Sequence, residues 1–241
     1  MSTREDWMRR LGPLYGGAVA LVQTTPWRWP DSVGQESRSP FWVVLLGAPI
    51  GFVAWIAAAL IDAAGMPATI GALVGLAVLS LASAALVERG LVERIDGAHS
   101  SAPSVAAILV LVFATLIRAA AILAVAPGAW LAVFVTTALV GRWAAVFLQA
   151  LGDPILDDDA PRSLVATPAP AWLVAALSIG VAIVTVVALG KSGIAALALT
   201  AALAFALGLD AQRRDRGLSS PVVAAAAAVG ELIVLLVATI S

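Results

Sequence analysis

The chain carries no charge between Asp62 and Glu88, and its other apolar residues also come in long unbroken runs rather than in stripes. A soluble helix shows an apolar face every third or fourth residue, whereas a segment apolar all round faces lipid or a fully buried core. With 61% hydrophobic and 12% charged residues, against roughly half and a quarter in soluble domains, the solvent these runs face is lipid.

A hydrocarbon core of about 30 Å takes roughly 17–25 helical residues to cross. Seven runs qualify: Phe41–Ile61, Ile70–Val87, Val105–Ala126, Ala129–Ala150, Ala171–Leu189, Ile194–Leu209 and Val222–Ile240. Lipid offers backbone groups no partner, so the expected fold class is all-α, a polytopic membrane helix bundle. Residues 1–40 form an N-terminal segment, cytoplasmic or interfacial, and residues 41–241 the transmembrane domain. Within that segment Leu11–Val22 is too short to cross and is interrupted by Gly12, Pro13, Gly16 and Gly17, which suits an interfacial or re-entrant piece.

Seven crossings put the N-terminus and the loops at 88–104, 151–170 and 210–221 on one side. Eleven of the fourteen basic residues lie there, two lie within spans, and Lys191 alone lies opposite. Positive charge collects on the cytoplasmic side, so the N-terminus is expected inside and the C-terminus outside, in the plasma (inner) membrane. A net charge of −1 argues against nucleic acid as partner. The absence of cysteine removes disulfides and thiolate chemistry, and a single histidine, His99, removes His-pair metal motifs.

Three charges fall within spans: Arg118, Arg142 and Glu231. An unpaired charge at mid-bilayer costs at least about 2.5–3.5 kcal/mol, so each should find a partner inside the bundle. Glu231 can pair with Arg118 or Arg142, fixing helix register; Arg142 could instead meet an anionic substrate.

The segment from Leu86 to His99, LVERGLVERIDGAH, closes the second span. If that helix continues past Val87, Glu93 and Asp96 share a face at the three-residue spacing that lets two carboxylates hold one divalent cation. The bland alternative is a solvated helix end with an Arg89–Glu93 ion pair, worth a few tenths of a kcal/mol. A second acidic cluster, Asp153, Asp157, Asp158 and Asp159, could add oxygen ligands or form a solvated loop.

The segment from Val87 to Gly97 is similar to the signature H-L-D-G-L-A-D-T-x-D-G of the cobalamin synthase family, adenosylcobinamide-GDP ribazoletransferase. Gly90, Leu91, Asp96 and Gly97 match it, Glu93 stands for the second aspartate, and Arg89 replaces the first. Weaker echoes lie in Ala20–Trp27, Phe41–Gly51, Gly141–Trp143, Leu151–Leu156 and Ala228–Leu236. Two acidic motifs of the family are missing: the segment after the signature is absent, and SSPVVA (Ser219–Ala224) replaces the one before the last span. The resemblance implies a Mg²⁺-dependent transferase that joins α-ribazole, or its 5′-phosphate, to adenosylcobinamide-GDP with release of GMP. Glu93 and Asp96 would hold the metal, Arg142 would meet a phosphate, and all three would be the catalytic set. The departures imply the alternative, a member that has lost chemistry and acts as a membrane scaffold or partner subunit.

Overall fold

The structure is a computed structural model that describes residues 4–27, 39–97, 102–155 and 169–240. Those residues form helices α1 (Arg4–Leu11), α2 (Tyr15–Thr24), α3 (Ser39–Leu45), α4 (Gly47–Ala63), α5 (Ala68–Ala82), α6 (Leu86–Asp96), α7 (Val105–Leu123), α8 (Trp130–Gln149), α9 (Ala171–Leu189), α10 (Lys191–Asp215) and α11 (Ser220–Ala238). No strand occurs among them. One isolated bridge joins Pro154 to Leu218.

Six helical units are long and apolar enough to cross a membrane, with α3 and α4 together forming the first; the pair α5–α6, bent by 65°, counts as a seventh where it is one broken span rather than a re-entrant loop. The chain is therefore an integral membrane bundle. Helix α2 spans ten residues, too few to cross, and buries Tyr15, Val19 and Thr24 against the bundle. Helix α9 has the bounds expected from the sequence.

Helices α8 and α11 form the centre. In them 78% and 83% of the span is buried inside the protein, against 22–33% in the first span, α7, α9 and α10. Small residues let backbones approach there, as helix packing in lipid requires. A Cβ placed on Gly47 would lie 2.7 Å from Leu139 Cα of α8, and one on Gly230 would lie 3.1 Å from Gly141 Cα.

Two elements differ from expectation. The second span does not continue as one helix past Val87. It stops at Ala82, and Ala84 and Ala85 both take φ +52° before α6 begins. The N–H of Ala85 donates to Ser80 O at 2.9 Å and that of Ala84 to Leu81 O at 3.0 Å, the bonding of a Schellman cap with alanine where glycine is usual. Contacts from other helices, described below, hold this break open. The sixth span is also longer than Ile194–Leu209. It runs to Asp215, because the polar stretch after Leu209 stays helical and pairs along its own face, Arg214 Nε to Asp210 Oδ1 at 2.7 Å.

Candidate functional site

The charged segment that closes the second span lies on α6. That helix crosses the first half of α11 so closely that a Cβ on Gly90 would sit 2.5 Å from Ala224 Cβ. Its residues point in different directions, and each direction has a separate consequence.

Glu88 points into the bundle. Its Oε1 accepts from Ser80 Oγ at 2.6 Å and from Arg118 Nη1 at 2.7 Å. The other terminal nitrogen of Arg118 donates to Glu231 Oε2 at 2.7 Å. Arg118 therefore bridges α6 and α11, and of the two arginines open to Glu231 by sequence it is the one that pairs. Both Arg118 and Glu231 are buried. Arg142, 1% exposed, lies beside the helix break instead: Nη2 donates to Ser83 Oγ at 2.9 Å and Nη1 to Ala138 O at 3.3 Å. Arg142 thus pins the unwound corner while Glu88 and Arg118 pin the start of α6.

The charged end of α6 is tied to neighbouring elements. Arg94 donates to Asp210 Oδ2 at 2.7 Å and to Asp215 Oδ2 at 3.2 Å, tying α6 to the end of α10. Asp96 accepts from the backbone N–H of Ser104 at 2.7 Å and from its hydroxyl, and Ser104 in turn caps α7 through Ala107 N–H at 3.2 Å. Ile155 N–H donates to Leu218 O at 2.8 Å, and Leu218 N–H to Asp153 O at 2.8 Å. The loops expected on one side of the membrane thus meet at one end of the bundle. Arg89 is exposed, and among the described residues it makes no ion pair with Glu93. Glu93 is half-buried and has no hydrogen bond or ion pair there. Asp157, Asp158, Asp159 and His99 lie outside the described residues.

Mg²⁺ is held by hard oxygens in octahedral order, usually one or two carboxylates plus substrate phosphates. Here the described residues offer a poor fit. Arg89 puts a cation at one of the three positions of the signature, and Asp96 is engaged by Ser104. Arg142 bonds Ser83 and Ala138 and, among the described residues, neither Glu93 nor Asp96. Arg94 and Ser104, which turn the acidic segment into a brace, were missed in the sequence. Ser104 had a local signal, standing immediately before an apolar run as an N-cap does; Arg94 had none, since its partners lie more than a hundred residues on.

No family model, curated protein or solved structure matches the chain.

Proposed function

We propose that this chain sits in the plasma (inner) membrane, N-terminus cytoplasmic and C-terminus outside, as a divergent relative of the cobalamin synthases. In this reading it has exchanged metal chemistry for internal bracing, and serves corrinoid assembly as a membrane scaffold or partner subunit. One observation carries the reading. Of the three signature positions where the resemblance calls for carboxylate ligands, Arg89 is a cation, Asp96 is bonded to Ser104, and Glu93 alone is uncommitted. The orientation rests on the basic residues gathered on one side.

A second reading keeps the transferase: α-ribazole or its 5′-phosphate joined to adenosylcobinamide-GDP, with GMP leaving and Mg²⁺ as the implied cofactor. The free, half-buried Glu93 favours it, since a ligand carboxylate has to be available. Expression in a strain lacking cobalamin synthase separates the two. The scaffold reading expects no growth without supplied cobalamin, together with co-purification of the tagged chain with other corrinoid-assembly enzymes. Rescue of growth would overturn it and establish the transferase.

A further inference from the structure

One cavity lies away from the charged cluster, and every residue lining it is apolar. It is a groove of about 1040 Å³ between the first span and α9, with Pro13 and Trp172 among the residues that line it. Phe41 and Leu45 form one wall, Leu177 and Gly180 the other. From Trp172 to Val184 on α9 is twelve residues, or ~18 Å of helix rise. One leaflet of the hydrocarbon core is about 15 Å deep. The groove thus has the depth of a single leaflet, and it lies between spans apolar enough to cross a membrane. A Cβ on Gly180 would meet nothing within 4 Å, so its missing side chain leaves open space.

Pro13 lies two residues past α1, whose last turn carries Arg9 and Arg10. Both are exposed, one helical turn beyond Glu5 and Asp6. At 3.8 Å per residue the two arginines lie within ~15 Å of Pro13. Arg10 is steadied over the Trp7 ring, 5.8 Å from its centroid. A pair of guanidinium groups near a leaflet-deep apolar groove is complementary to a molecule with an anionic head and an acyl tail. The geometry points to a bound anionic phospholipid, its tail between α3 and α9 and its phosphate at Arg9 and Arg10.

The test uses the full chain, purified in a mild detergent, stripped of lipid and titrated with dioleoylphosphatidylglycerol or dioleoylphosphatidylcholine under native mass spectrometry. The expected result is that the monomer retains phosphatidylglycerol roughly thirtyfold better, the scale that two basic residues give at an anionic surface. Gly180→Phe, which fills the groove without meeting backbone, should lower retention of both lipids several-fold with an unchanged melting temperature. Ala176→Leu fills the same groove if Gly180→Phe fails to fold. Arg9→Gln with Arg10→Gln should abolish the preference and leave phosphatidylcholine retention unchanged. Equal retention of the two lipids by the wild type, unaltered retention in the filled variants, or a dimer that Gly180→Phe dissociates would each overturn the assignment.

Discussion

Arg118 on α7 holds Glu88 Oε1 of α6 and Glu231 Oε2 of α11 at 2.7 Å each, so one guanidinium fastens the broken second span to the last. Removing it leaves two inward-facing carboxylates without their cation, and losing one partner of a buried pair typically costs about 3–5 kcal/mol. Arg118→Met should lower stability by that amount in thermal unfolding of the detergent-solubilised protein. Adding Glu231→Gln to Arg118→Met should recover part of the loss, because one stranded charge is then gone. Additive losses would show that the pair is not coupled.

The break before α6 is built from Ala84 and Ala85, both at φ +52°. An L-residue with a Cβ is strained there by roughly 1–2 kcal/mol, a strain glycine escapes. Ala84→Gly and Ala85→Gly should each leave the protein as stable or more so, by up to about 1 kcal/mol. Were α5 and α6 one continuous helix, the same changes would destabilise by about 1 kcal/mol each. Urea or thermal unfolding of the two variants decides the sign.

This break shows where sequence stops being informative. Alanine is the best helix former, so SAALVERG reads as uninterrupted helix; the corner is imposed from outside, by Arg142 on Ser83 and Arg118 on Glu88. The crossings themselves were legible because lipid leaves an apolar run no other fate, and α9 matches to the residue. The acidic spacing of Glu93 and Asp96 was legible too. What each carboxylate does depended on partners elsewhere: Ser104 across a short connection for Asp96, and Arg118 thirty residues on for Glu88. The choice of Arg118 over Arg142 for Glu231 rests on how α7 and α8 flank α11, which no local pattern encodes.

Glu93 and Asp96 allow a direct measurement. With a cation at position 89 of the signature and Asp96 bound to Ser104, the scaffold reading expects no saturable Mn²⁺ binding by electron paramagnetic resonance, in the wild type or in Asp96→Ala. Saturable binding that Asp96→Ala abolishes would favour the transferase. Asp96→Ala also removes both bonds to Ser104, at about 1 kcal/mol for each typical hydrogen bond. A fall in melting temperature is therefore expected whichever reading holds, and it does not report on metal.

Arg94, bridging Asp210 and Asp215, is the other anchor of α6, and its surroundings differ from those of Arg118. The three side chains keep 23%, 38% and 36% of their surface exposed, so water and salt screen the bridges, and each exposed pair contributes about 1 kcal/mol or less. Arg94→Ala should therefore be mild where Arg118→Met is severe. Its effect should also fade as salt rises, since at 1 M the screening length is only about 3 Å. Melting curves of both variants at low salt and at 1 M NaCl test this contrast. Arg118→Met should keep its deficit at both, and an Arg94→Ala deficit that persisted at 1 M would mean that the end of α6 is held by packing against α10 rather than by charge.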